Sequence, residues 1–164
     1  MPSETIATPK NYRPCVGICL IHAQTRHVFV GERIDTPKAW QMPQGGIDAG
    51  EDIAAAALRE LKEETGIKES HVKILRISDQ EIFYDFPDDL RSRLWNGKFD
   101  GQSQRWVALE FHGADSDINI TSHAPPEFSQ WQWVTLHETV NLIVPFKRKT
   151  YEQVITQFED LVIA

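Results

Sequence analysis

Two cysteines and two methionines are all the sulfur this 164-residue chain carries, and no apolar stretch approaches the roughly 20 residues that cross a membrane. Cys15 and Cys19 lie four apart in a segment that reads as a strand, so about 13 Å of extended chain separates them and they cannot bridge each other. A fold stapled by disulfides is excluded. Met1–Lys10 lacks the basic and apolar regions of a secretory leader, and the expected compartment is the reducing cytoplasm. Positive charge is scarce as well: 17 Lys and Arg against 24 Asp and Glu leave a formal net charge of −7. That balance argues against broad electrostatic binding of nucleic acid. It leaves room for an anionic substrate, because bound metal ions can be the largest local positive charges in a site.

What is present is an ordinary globular composition, 41% hydrophobic and 25% charged, long enough to bury a core without staples. Residues 1–11 read as a polar, frayed tail and residues 12–164 as one domain, with no repeat or linker dividing it. Tyr12–Ala23 and His27–Arg33 are apolar runs joined by a short polar turn, hence a hairpin feeding a buried sheet. Gly17 inside the first run predicts a bulge or a close approach. Thr36–Gly46 predicts a sharply turning loop with a short strand around Trp40–Met42. Strand-like alternation follows in His71–Asp85, Gln104–His112 and Gln130–Thr135, and helices are expected at about Leu136–Leu142 and from Pro145 through Phe158. Phe86–Gly101 reads as a connector carrying Arg91, Arg93 and Lys98 among aromatics, and Gly113–Pro126 as a polar loop. The sum is one α/β (α+β) domain, a mixed sheet between helices.

Between the hairpin and the later strands lies Gly45–Ile67, a glycine-bracketed loop running into a helix. At about 100° per residue, Ala54, Ala57, Leu58, Leu61 and Thr65 form an apolar stripe, and Glu60, Glu63 and Glu64 share the flank beside it. Asp48 is the expected N-cap, Glu51 is expected in the first turn, and Gly66 suits a left-handed C-cap. Three acids thus crowd the end where the macrodipole is already negative, spaced so that they repel. A hard divalent cation would turn that repulsion into coordination. The plainer alternative is a solvated acidic face with Arg59 and Lys62 as counter-charges.

The wider spacing is Gly45, five residues, Glu51, seven residues, Arg59-Glu60-Leu61, one residue, Glu63-Glu64, one residue, Gly66-Ile67. It resembles the Nudix box of the Nudix hydrolases at every defined position. The resemblance implies a Nudix-type α/β/α sandwich in which Glu60, Glu63 and Glu64 hold a divalent metal, Mg2+ or Mn2+, and a phosphoanhydride is hydrolysed. Glu64 is also the leading candidate for activating water, as ligand, base or both. Gly45, Glu51, Arg59 and Gly66 read as structural parts of the motif, with Arg59 orienting the acids or pairing with Glu51.

Outside the box, WQMPQGGID, GQSQRW at Gly101–Trp106, PEFSQWQWV at Pro126–Val134 and VPFKRKTY at Val144–Tyr151 look like the branch containing RNA pyrophosphohydrolase and the asymmetric dinucleoside polyphosphate hydrolases. In that branch the glutamate of the PEF segment, here Glu127, supplies a further metal ligand. A polyphosphate lies over the metals, flanked by positions that match Arg13, Arg33, Tyr84, Gln104, Phe146 and Lys147. Ile34 follows Arg33 where some RNA pyrophosphohydrolases carry a second arginine, so this stretch looks closer to the dinucleoside tetraphosphate hydrolases. The expected activity is a Mg2+-dependent hydrolase that removes pyrophosphate from 5′-triphosphorylated RNA, or splits diadenosine polyphosphates, or both. The competing expectation is a catalytically silent nucleotide- or RNA-binding module on the same fold. Neither a membrane nor a protein partner is expected.

Overall fold

The computed structural model describes residues 10–163, so the expectation of fraying over residues 1–9 lies outside them. At the start of the described chain, Asn11 is tied down. Its N–H donates to Asp100 Oδ2 at 2.8 Å and its side-chain amide donates to the Lys98 carbonyl at 2.8 Å.

Tyr12–His22 (β1) is the axis of the sheet. Gly101–Phe111 (β7) runs parallel to it over the full length of both strands, with Tyr12 opposite Gly101 and His22 opposite Phe111. Val28–Arg33 (β2) folds back antiparallel on β1 as the hairpin expectation required. Phe128–Val134 (β8) and Trp40–Gln41 (β3) pair with β2, while Val72–Ile77 (β5) and Ile82–Asp85 (β6) share the far side of β7. The loop expected over Thr36–Gly46 contains a further strand, Gln44–Gly46 (β4), antiparallel to β1. Two glycines in three residues hid it from any propensity argument.

Alternation along β1 sends side chains to both faces, and both faces are covered. Val16, Ile18 and Leu20 join Ala56, Ala57, Leu61, Val107, Leu109 and Phe111 beneath Ile53–Thr65 (α1). Cys19 and Ile21 join Met42, Trp106, Ala108, Val154 and Phe158 beneath Arg148–Phe158 (α4). The result is the α/β/α sandwich with a mixed sheet. Both cysteines are free and buried. Gly17 answers to close approach: a Cβ there would collide with the Trp106 indole on the neighbouring strand.

Other expectations shift in detail. The connector over residues 86–101 holds one turn of helix, Asp88–Arg91 (α2), and a 3-10 turn, Leu94–Gly97. The helix expected at about 136–142 is reduced to Thr139–Leu142 (α3), and the final helix opens with a 3-10 turn at Pro145–Lys147 before α4. Among the described residues no helix is long and apolar enough to cross a membrane.

Candidate active site

Helix α1 starts later than expected. Gly50 takes φ +76°, which turns the loop once more, and Asp52 is the N-cap, accepting the Ala55 N–H. Asp48 instead closes the preceding turn, its carbonyl accepting the Glu51 N–H. Glu51, released from the first turn, reaches forward. Its two oxygens accept Arg59 Nε and NH2, both at 2.8 Å, in a bidentate pair that pins the loop to the helix. The same guanidinium donates to the Gly46 carbonyl and to Glu60 Oε1, each at 2.9 Å, and to Glu63 Oε2 at 3.4 Å. Arg59 thus both pairs with Glu51 and orients two of the acids. Gly66, at φ +72°, caps the other end, its N–H returning to the Lys62 carbonyl.

The buried stripe of α1 runs through Ala56, Ala57, Leu61, Glu64 and Thr65, displacing the half-buried Ala54 and Leu58 of the expected pattern. Glu64 stands seven residues after Ala57 and three after Leu61, so it is on the stripe itself and is 6% exposed. Strand β4 passes over it, and the Gln44 N–H donates to Glu64 Oε2 at 3.1 Å. Burial, then the nearby Glu60 and Glu127 carboxylates, hold its proton affinity well above the usual carboxylate range. Gly45 leaves room for the Glu60 carboxylate, which a Cβ there would displace.

These side chains line a cavity of about 750 Å³ that also takes in Glu63 and Glu127. Glu127 is exposed just before β8, and its carbonyl accepts the Ile34 N–H at 3.1 Å, which ties that loop to the end of β2. Among the described residues no three acidic, histidine or cysteine side chains already converge as ligands, since Arg59 holds Glu60 and Glu63 toward itself. The donor set nevertheless fits a hard divalent ion. Glu64 is a buried carboxylate within reach of three others, and its charge is met in the structure only by one backbone N–H.

The same cavity also has a cationic and aromatic lining. Lys147 is 5% exposed, with its ammonium 5.5 Å from the Tyr84 ring centre and 5.9 Å from that of Phe146. Burial, with Arg33 nearby, pulls its pKa down to about 8. Arg33 itself is paired to Asp35 at 2.7 Å. Phe146, Tyr84, Phe86 and Trp95 form a continuous wall, with successive ring centres 6.1, 5.9 and 5.6 Å apart. The Arg13 guanidinium lies 4.6 Å over Trp95.

The cavity therefore brings together every candidate read from the sequence except Gln104, Glu51, Arg59 and Gly66. The last three frame the loop and helix. Gln104 is a correction in place: at 1% exposure it lies behind the lining and bonds to Gln44 and Gln102, which do border the cavity. Those two glutamines and Phe86 are lining residues that the sequence reading did not single out. For Gln102 the signal was the alternation Gln102, Gln104, Trp106, which puts all three on one face of β7. Arg91 and Arg93 of the basic segment are engaged with Asp88 at 3.5 Å and Asp89 at 3.8 Å on their own turn, whereas Leu90, Leu94 and Trp95 of that segment face the cavity.

With loop, helix and acids in this arrangement, the comparison with known proteins has one outcome: a NUDIX domain model matches residues 11–154. The chain belongs to the Nudix family. The RNA pyrophosphohydrolase of Novosphingobium aromaticivorans is 53% identical over 153 residues, covering 92% of this chain and 94% of that protein. The RNA pyrophosphohydrolase of Roseobacter denitrificans is 51% identical over 160 residues, covering 96% and 97%. Among solved structures, the E. coli dihydroneopterin triphosphate pyrophosphohydrolase superposes with a TM-score of 0.69 over 90% of this chain and 99% of its own, at 22% identity. A C. elegans Ap4A hydrolase complex gives 0.65 over 90% and 98% at 20% identity. Those two likenesses establish the Nudix fold independently of close sequence kinship. Nudix hydrolases generally need a divalent metal, in keeping with the carboxylates of the cavity.

Proposed function

We propose that this Nudix enzyme removes pyrophosphate from the 5′-triphosphate end of RNA, with Mg2+ as its ion. The observation that carries the reading is a single cavity whose lining joins four carboxylates, one of them buried, to a lysine, two arginines and an aromatic wall. RNA is favoured over a dinucleoside polyphosphate because the relatives that are about half identical along nearly their whole length carry the name RNA pyrophosphohydrolase. The Ile34 signal toward dinucleoside substrates is weaker than that agreement. Two free, buried thiols suit a reducing compartment such as the cytoplasm.

Glu60, Glu63, Glu64 and Glu127 would hold the metal. When bound, it neutralises the phosphate oxygens and lowers the pKa of water. The protein does the rest. Lys147, Arg33 and Arg13 sit where they can bind the remaining phosphate charge, and the ring wall offers faces for an unstacked base. Glu64 has one oxygen held by the Gln44 N–H, which leaves Oε1 to take the proton of the attacking water.

The test compares kcat/KM for a triphosphorylated RNA and for diadenosine tetraphosphate on one preparation in Mg2+. The proposal expects RNA to be favoured by about tenfold or more, equivalent to about 1.4 kcal/mol of transition-state binding. A preference for the dinucleotide would assign the enzyme to the other activity. Absence of turnover on both would point to the silent binding module.

A further inference from the structure

Four side chains at the cavity wall, two bordering it and two behind them, form a hydrogen-bond ladder whose direction is fixed by chemistry. Trp106 Nε1 is 2.9 Å from Gln104 Oε1, and an indole N–H can only donate. The Gln104 oxygen must therefore face Trp106, and its NH2 group must face the other way. Both of its hydrogens are then used, one on Gln44 Oε1 and one on Gln102 Oε1, each at 2.9 Å. With their oxygens committed, Gln44 and Gln102 have NH2 groups left over. Neither donates to a protein acceptor among the described residues, and both residues border the cavity.

The chain geometry that allows this is specific. Gly17 has no side chain, so the Trp106 indole lies flat against β1. The alternation of β7 then sets Gln104 and Gln102 in register on that face, and β4 places Gln44 on the opposite side of β1, directly across from Gly17. Gln44 is also the residue whose backbone N–H holds Glu64. One residue thus faces both the acid and the cavity.

We propose that Trp106 and Gln104 are positioning residues that lock the Gln44 side chain as an N–H donor to a phosphate oxygen of the substrate. A rotated amide would present its oxygen to the phosphate and repel it. The ladder removes that choice. Next to a cluster of carboxylates, a neutral donor has an advantage over lysine or arginine, because it binds phosphate without pairing with the acids and withdrawing them from the metal. The inference rests on the polyphosphate reading of the same cavity.

The experiment pairs kinetics with a measurement that needs no turnover. Trp106→Phe keeps the aromatic body and deletes the one donor that sets the ladder, and Gln44→Met deletes the amide outright. Each should raise KM for triphosphorylated RNA about fivefold while kcat changes less than twofold, the loss expected for one neutral hydrogen bond. In 15N–1H spectra the Gln44 side-chain NH2 pair, identified by its disappearance in Gln44→Met, should shift when inorganic triphosphate is added to the wild-type protein. In Trp106→Phe that shift should shrink while the backbone amides keep their folded dispersion. If Trp106→Phe does not fold, Gln44→Met and the wild-type titration still decide the matter. An NH2 pair that stays still while amides around Lys147 move would overturn the proposal, as would a wild-type KM in Gln44→Met. Because the titration uses inorganic triphosphate, a failure of the RNA assignment would leave its outcome intact and separable.

Discussion

The acidic and the cationic parts of the cavity lining are built in opposite ways. Three of the four carboxylates come from one continuous stretch, in which a loop, an N-cap, a four-partner arginine and a helix stripe place Glu60, Glu63 and Glu64 within two turns of one rigid element, and only Glu127 joins from the loop before β8. The cationic part is assembled from β1, β2, β6, the α2 connector and the turn before α4, which contribute Arg13, Arg33, Tyr84, Trp95 and Lys147 respectively. Chemistry that tolerates little error lies on the continuous piece. Recognition, where several weak contacts share the binding, is spread over five.

If that division is real, damage to the first part should fall on kcat and metal use, and damage to the second on KM. The largest effect is expected for Glu64→Gln, which keeps the shape and the Gln44 contact but abolishes the charge. Turnover should fall by about a thousandfold or more, the scale seen when a group that acts in the transition state is removed. Thermal stability should hold or rise, since a buried carboxylate short of partners is replaced by a neutral amide. Near wild-type turnover in saturating Mg2+ would remove Glu64 from the chemistry. Glu127→Ala comes next. Its side chain is exposed and holds nothing else in place, so the fold should be untouched while the Mg2+ concentration for half-maximal rate rises about ten- to a hundredfold. An unchanged metal titration would leave the three box glutamates as the whole carboxylate set.

The same contrast explains what could be read from sequence. The sandwich was legible because β1 is a long apolar run, Gln104–His112 alternates and α1 has a clear stripe, and the box was legible because its partners are neighbours along the chain. Glu64 was placed beside the stripe rather than on it, since a carboxylate in a buried row runs against every hydropathy rule. Asp48 was expected as the cap, but the turn at Gly50 delays the helix and Asp52 takes that place. Strand β4 pairs with β1 through a long-range register that a Gly-Gly dipeptide does not announce. Phe86 and Trp95 stack beside a turn in which Trp95, Asn96 and Gly97 all take positive φ, a conformation that local propensity would not assign to a tryptophan. Gln44 and Gln102 meet only through Gln104, a contact that appears once β1 separates and aligns their strands.

The cationic part can be separated from the other by pH. Lys147 has a pKa of about 8, lowered from 10.5 first by burial and then by Arg33, against small raising effects of Cys15 and Asp35. Below pH 8 it is charged and available to phosphate. As pH rises through 8 it loses its proton in the free enzyme, so kcat/KM should fall along that limb, by about tenfold per pH unit at the limit, while kcat holds to higher pH because bound phosphate favours the charged form. Lys147→Met, which keeps most of the buried stem, should be weak throughout and show no such limb. Stability carries the opposite sign. The unfolded chain binds more protons than the folded one between pH 8 and 10.5, so folding is penalised by the charge at neutral pH and the penalty fades as pH rises across that window. The full penalty is of order 3 kcal/mol. Lys147→Met should therefore raise Tm at pH 7 and progressively lose that advantage toward pH 10. A variant with wild-type Tm at pH 7 and a wild-type alkaline limb would show that Lys147 is neither the strained charge nor the phosphate contact, and the cationic part would then rest on Arg13 and Arg33.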